Sequence, residues 1–446
     1  GELYFNSLRS RNGAFGLGLQ HHSSAGGIKN VLSNGAFSSN AAQLWGKTFL
    51  GKHVLGGQFD YTRDKQYYYG YRPSMVTLEG ANALQLGQIE QVYDRFSGEI
   101  NLQSFFDGTK KLNHREDLFY HRITNIQGTA EQRIAGTADF SKKFGNETVS
   151  IKIGVDNTAI SYADASKTDW NNTIVTFNPK VTTSSEKFSV NAGMLLQTQI
   201  DTNSRFYFFP DAEASYQLVP GILVPYAGIS GGVNRNSFQA LSLAAPFVNA
   251  NPNLRNTVDK YKIYAGVRGN FSSHISFHLA VEQRLSDQFM MMLTDSAAPE
   301  NTLSAVYDRV AQTAAKAELA YHKIKKLDLG VSVAYVLYKP SQFGQVLNLP
   351  AFQGGLTAKY NLVDKFYITA EWSYVDKRFG AIQRANGVES VVLGAYNDIN
   401  LGFEYRYTKR LSAFLQCNNL LNRNYERFYR YNVQGFAIFG GFTFAL

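Results

Sequence analysis

The chain has a single cysteine, Cys417, in 446 residues, which excludes an internal disulfide and any cysteine-based metal site. It has no apolar stretch approaching the roughly 20 residues that a membrane helix needs. The strongest apolar run, Gly221 to Ile229, is broken by Pro225 and Gly228. No linker, low-complexity segment or shift in composition marks a domain boundary, so the chain reads as one continuous architecture. No signal peptide stands at Gly1. Nucleophile elbows, phosphate loops and paired Cys/His clusters are also missing, so the reading is of a non-enzyme without a cofactor. The net charge is +9 and the pI about 9.2, but Lys and Arg are scattered over turns and polar faces. They form no single stripe of the kind that binds nucleic acid.

What is present is a two-residue alternation that recurs along the chain. Ile399, Leu401, Phe403, Tyr405 and Tyr407 are apolar or aromatic, while Asp398, Asn400, Gly402, Glu404 and Arg406 between them are polar or small. Phe366, Ile368, Ala370, Trp372 and Tyr374 repeat the pattern, as do Leu327, Leu329, Val331, Val333 and Tyr335, and Ile275, Phe277, Leu279 and Val281. The pattern is noisier in the first hundred residues, so recurrence carries the reading. Such a strand sets one face against an apolar medium and the other against a polar one. Only half of each strand then faces lipid, which reconciles a membrane reading with a mean hydropathy of -0.24. The 27 Tyr and 32 Phe suit aromatic girdles at the two membrane interfaces. Cys417 continues the apolar series Leu411, Ala413, Leu415 and reads as a small lipid-facing residue.

The connections alternate between short and long. Short ones fall at Arg11 to Gly13, Gly51 to Lys52, Asp107 to Lys111, Gly145 to Glu147, Ser184 to Lys187, Pro220 to Gly221, Ser272 to Ser273, Lys323 to Lys326, Val363 to Lys365 and Thr408 to Arg410. Long ones include Tyr69 to Gln91, Gln239 to Asn256, Tyr338 to Pro350 and Phe379 to Ser390. In bacterial barrels the short turns face the periplasm and the long loops face outward, and about 21 strands of about 10 residues are readable here. The predicted class is an all-β, antiparallel transmembrane barrel of the outer membrane. Single-chain bacterial barrels have even strand numbers, so the odd count predicts a native barrel of about 22 strands with one strand preceding Gly1, the alternative being a misread strand in the noisy region before residue 130.

Two stretches resemble the barrel region of TonB-dependent receptors, particularly the forms found in Bacteroidota. Asn251-Pro252-Asn253-Leu254-Arg255-Asn256-Thr257 resembles the family's segment leading into a long barrel strand, and Asn419-Leu420-Leu421-Asn422-Arg423-Asn424-Tyr425 one near its penultimate strand. Gly441, Phe444 and Leu446 also fit the pattern of a final outer-membrane strand inserted by barrel-assembly machinery. The resemblance implies an outer-membrane receptor for solute uptake, with a plug domain in its lumen and TonB as partner. Because strand patterning begins at Glu2, the chain is expected to be either a fragment without its plug or a variant closed by something else. The alternative is an accessory barrel subunit of an outer-membrane assembly or secretion complex, and a passive porin is a third reading. Lipid is the constant partner, with other outer-membrane proteins as further candidates.

Adjacent His21 and His22 point to opposite faces of a strand and cannot share a metal ion. His274, His278 and Glu282 share a face but stand four residues apart at about 3.4 Å per residue, too far for one ion. Lumen-lining candidates are Lys262, Arg268, His278, Glu282, Asp328, Glu371, Asp398, Glu404 and Arg406. Leu241 and Phe247, in the apolar segment Leu241 to Val248, and Met290, Met291 and Met292 are unusually apolar for outward loops. They are candidate contact points for a partner or ligand, and loops folded inward over the lumen would account for them equally.

Overall fold

Alternating residues pair across neighbouring strands so that like meets like on each face. In the computed structural model Trp372, Ile368 and Phe366 stand opposite Ile399, Phe403 and Tyr405, while Glu371 and Ser373 stand opposite Asn400 and Asp398. The Phe366 and Tyr405 rings stack at 4.7 Å. The structure describes residues 1–7, 10–71, 84–108, 111–295, 300–323, 326–384 and 386–445. One sheet of 23 strands contains nearly all the regular structure. Two of those strands, Arg378–Arg384 and Gly387–Leu393, form a hairpin outside the main meander. Among the described residues the wall is therefore a sequential antiparallel meander of 21 strands, from Glu2–Ser7 to Ala437–Phe444. This is an outer-membrane β-barrel fold.

The wall curls until its ends approach. The His22 and Phe439 rings lie 6.4 Å apart, and the Gln434 amide donates to the Gly35 carbonyl at 3.3 Å. Among the described residues no ladder joins Glu2–Ser7 to Ala437–Phe444. Cys417 stands between Leu401 and Ile438 on the apolar face of the closing strands.

Short turns gather at one rim, where Gly51, Gly145 and Gly221 adopt positive φ, a conformation that glycine takes without a side-chain clash. Val363 and Asp364 do the same at φ 50° and 58°. The Asn361 amide fixes them by donating to the Asp364 carboxylate at 2.7 Å and accepting from the Asp364 N–H at 2.9 Å. The turns at Asp107 to Lys111 and Lys323 to Lys326, the loop from Tyr69 to Gln91 and the terminal Leu446 fall partly or wholly outside the described residues.

The other rim carries the long connections, and here the structure corrects the sequence reading. The stretch from Phe379 to Ser390, read as a plain connection, lies within the Arg378–Arg384 and Gly387–Leu393 hairpin. The loop from Gln239 to Asn256 begins within a helix, Phe238–Ala244, whose N-terminus is capped by Ser237 Oγ accepting from the Ala240 N–H at 3.1 Å. The strands Ile275–Thr294 and Leu303–Lys323 are the longest in the wall at 20 and 21 residues, and their paired outer ends rise beyond the membrane band. Gln288, at φ 54°, sits in a register shift between Ser286 and Phe289. That bulge re-aims the strand, sending Met290 and Met292 to one packing cluster and Met291 and Leu293 to another.

Candidate functional site

The polar face of the wall strands carries connected groups of side chains. Glu282 accepts from Arg284 at 2.7 Å and faces Lys316 at 3.9 Å, while Arg284 reaches Asp259 at 3.6 Å. His278 meets the Tyr226 hydroxyl at 2.6 Å and Glu318 at 3.5 Å. Arg268 lies 5.3 Å over the Tyr226 ring and Lys262 5.2 Å over that of Tyr264. Tyr264 in turn donates to Glu213 at 2.7 Å. Glu371 and His278 line a common recess of about 500 Å³ with Glu318, Ser332, Thr357 and Asn400. Asp398 accepts from Tyr425 at 2.9 Å. Asp328 pairs with His322 at 2.8 Å and Glu404 with Arg406 at 2.9 Å, both near the short-turn rim. The structure thus joins Lys262, Arg268, His278 and Glu282 along neighbouring strands, brings Glu371 into one recess with His278, and leaves Asp328, Asp398 and the Glu404–Arg406 pair in separate small groups. Among the described residues no group of three His, Cys, Asp or Glu side chains is placed to hold a metal ion.

Over the outer mouth the loops form a second, apolar structure. Phe247 stacks on Tyr431 with ring centroids 3.7 Å apart, and Tyr69 packs edge-on against both at 5.5 and 5.0 Å. These three residues come from connections far apart around the 21-strand wall, so their contact bridges the mouth. Phe238, Leu241, Val248, Leu254, Met292, Leu303 and Phe428 complete one buried cluster. A second unites Met291 and Leu293 with Val310, Val346, Leu347 and Ala381. Leu241, Met291 and Met292 are buried, and Phe247 and Met290 pack against the same clusters, as loops folded inward over the lumen would place them.

Buried polar groups lock this cap to the wall. Glu131 is 0% exposed and His121 1%. Glu131 accepts from the Phe238 N–H at 2.6 Å, the Gln239 N–H at 3.3 Å and His121 Nε2 at 3.1 Å. One carboxylate from the wall thus satisfies the first N–H groups of the cap helix, where negative charge is also favourable. Tyr68 donates to the Val248 carbonyl at 2.7 Å, and Tyr69 to that of Asn432 at 2.9 Å. Glu300 holds Arg384 at 2.7 Å and Arg430 at 3.2 Å. Burial raises the Tyr68 and Tyr431 hydroxyls well above the ordinary tyrosine value and pushes Tyr69 up to about 12.

The two motifs noted in the sequence are anchors of this cap. Leu254 and Asn256 are buried, and Asn256 donates to Asn172 of the wall at 2.9 Å. The Asn419 side chain accepts from the Arg423 N–H at 2.9 Å and donates to the carbonyls of Arg423 and Gln434 at 2.8 and 3.0 Å. Asn419 and Asn422 take φ of 47° and 48°, which asparagine tolerates better than most residues. Glu131, His121, Tyr69 and Tyr431 carried no sequence signal, because their burial is set by loops distant in the chain.

No family model matches the chain, and no curated protein matches it in sequence. Solved structures do match its fold. The siderophore receptor PirA from Acinetobacter baumannii aligns with a TM-score of 0.74 at 9% identity, over 100% of this chain and 77% of PirA. The FrpB iron transporter from Neisseria meningitidis (F3-3 variant) gives 0.74 at 10% identity, over 99% of this chain and 79% of its own. The copper transporter OprC gives 0.70 at 10% identity, over 100% and 79%. The likeness shows the fold, an outer-membrane β-barrel of the kind these receptors and transporters have.

Proposed function

We propose that this chain is the barrel of an outer-membrane, TonB-dependent receptor that takes up a solute through its lumen, and that it is not an enzyme. The observation that carries this reading is the pairing of a wide, polar-walled lumen with a mouth bridged by buried loop packing. A passive pore needs an open mouth, whereas a receptor needs a gated one. Similarity in fold to receptors and transporters of siderophores, iron and copper makes metal ions and their chelates the first solutes to examine. Lys262, Arg268, His278 and Glu282 form a strip of mixed charge for a hydrated solute, Glu371 shares a recess with His278, and Asp328, Glu404 and Arg406 add charge near the periplasmic rim and Asp398 near the outer loops. A plug domain and TonB are the partners this reading requires, and the two asparagine-rich motifs favour the Bacteroidota form of such receptors.

The test is uptake of a radiolabelled ferric catecholate by cells producing the full-length protein, with and without TonB. Accumulation that depends on both supports the reading. Uptake indifferent to TonB contradicts energy coupling and favours a pore. No uptake across a panel of iron, copper and siderophore substrates favours the accessory-barrel reading.

A further inference from the structure

The wall is split at one place. Ser204–Tyr216 pairs along its whole length with Phe188–Ile200, but its other edge pairs with Leu223–Asn234 only from Ala212 to Ser215. Above that point the strand Leu223–Asn234 departs toward the inner face of its neighbours. The Val233 N–H donates to Gln197 at 2.8 Å, and Gly231 lies against Phe209, so close that an added Cβ would stand 2.6 Å from the ring. The edge from Ser204 to Asp211 is left without a strand partner. Pro210 sits just above the last paired residue, a position that suits a residue with no N–H to offer a ladder.

The gap is a cleft of about 660 Å³ at the outer rim, lined on one side by Arg205, Tyr207 and Phe209 and on the other by Arg255, Lys260 and Arg309. Tyr207 and Phe209 stack at 5.9 Å along its floor. Two carboxylates enter the lining. Asp287 is paired to Lys260 at 2.8 Å and to Arg309 at 3.1 Å. Asp308 is occupied by the N–H groups of Arg309, Gln342 and Phe343 at 2.7, 2.9 and 3.0 Å. Arg205 takes part in none of the ion pairs of the described residues, and Arg255 lies over the Tyr307 ring at 5.9 Å. The cleft is therefore cationic on balance.

An unprotected edge presents a row of unpaired N–H and C=O groups and is a template for another strand. No proline interrupts the edge from Ser204 to Phe209, and Ser204, Arg205, Phe206 and Phe208 are exposed. We propose that this edge is a docking site for an extended acidic peptide segment of a partner protein, which adds to it as one more strand. Six residues from Ser204 to Phe209 offer about 20 Å of edge. The partner strand's backbone completes the ladder. An acidic side chain lies between Arg205 and Arg255, and an apolar one meets Tyr207 two positions along, as the alternation of a strand requires. Charge complementarity selects the acidic peptide over a basic one.

The experiment is titration of the purified full-length protein in detergent with a fluorescent heptapeptide of alternating Asp and Val, followed by anisotropy. Two control peptides are a Lys/Val version and an Asp/Val version N-methylated at alternate residues along one edge. A second pair of measurements uses Arg205→Glu and Arg255→Glu, with heat-modifiable gel migration confirming that the barrel is folded. Saturable binding of the Asp/Val peptide, at least about tenfold weaker for the Lys/Val peptide, the N-methylated peptide and each variant, supports the proposal. Equal binding of the N-methylated peptide overturns strand addition, since the backbone then plays no part. No binding of the Asp/Val peptide also overturns it, as does its displacement only by vesicles of anionic lipid, which would make the cleft a headgroup site. The N-methyl arm requires no protein variant, so a misfolded mutant leaves the outcome decidable.

Discussion

Phe208 in the wall and Phe238 in the cap are the same side chain in opposite settings. Phe208 is 60% exposed on the outer face of a strand, whereas Phe238 is fully buried at the start of a loop helix. The wall turns its aromatic residues outward because its apolar medium is lipid, and keeps its polar groups for the lumen. The cap stands in water and must build a core of its own, so its apolar residues turn inward and its buried polar groups need partners. The comparison teaches that exposure of an apolar residue means stability in one half of this molecule and would mean a defect in the other.

That difference can be broken in both directions. The largest effect is expected for Glu131→Ala, which leaves His121 and the Phe238 and Gln239 N–H groups buried without their acceptor. We expect the cap to lose about 3 kcal/mol. Limited proteolysis should then cut within 238–254 while the heat resistance of the barrel is unchanged. Loss of barrel heat resistance in parallel would show that cap and wall are a single unit. Tyr431→Ala should act in the same way at about 3 kcal/mol, whereas Phe403→Ala on the outer face should leave the cap's protease resistance as it was. Leu279→Arg reverses the logic: an arginine on the lipid face should destabilise the wall by about 2–4 kcal/mol at mid-depth, read by urea unfolding in liposomes, and spare the cap.

Alkaline titration sharpens the comparison. Tyr69 has a folded pKa near 12 against an ordinary value of 10.0, and Tyr68 and Tyr431 are raised as well. Their contribution is fully present below the unfolded value and fades as pH rises through the folded one. Loosening of the cap should therefore begin above pH 10 and be complete only beyond about 12, with tyrosinate absorbance rising as the loops become cleavable. Ionisation complete near pH 10 would refute the buried setting. The smallest effect is at the short-turn rim. Val363→Asn relieves a β-branched residue from φ 50° and should raise barrel stability by about 1 kcal/mol, with no effect on the cap.

The wall was readable from sequence wherever lipid enforced alternation. Ile399 to Tyr405 and Phe366 to Trp372 were assigned to one apolar face and stand opposite each other on it. The odd number of strands followed from the connections alone. The cap was not readable, for identifiable reasons. A bulge at Gln288 breaks the two-residue period just before Met290, so the methionine run carried no facing information. The Arg378–Arg384 and Gly387–Leu393 strands are seven residues each, the second opening on Gly387 at φ 124°, too short for the pattern to emerge. Glu131 looks like any polar residue after a tight turn, since the helix that buries it begins 107 residues later. The candidate lumen charges share the polar side of the alternation, but the grouping of His278 with Tyr226 and Glu318 depends on cross-strand register, which alternation does not specify.

The central claim, that the loops close a polar lumen, is tested most directly by conductance in planar bilayers. The unmodified chain is compared with a version in which 238–248 is replaced by a short Gly-Ser segment. The account predicts a silent unmodified barrel and large conductance steps from the shortened one. Equal conductance from both, or silence from both, would contradict it.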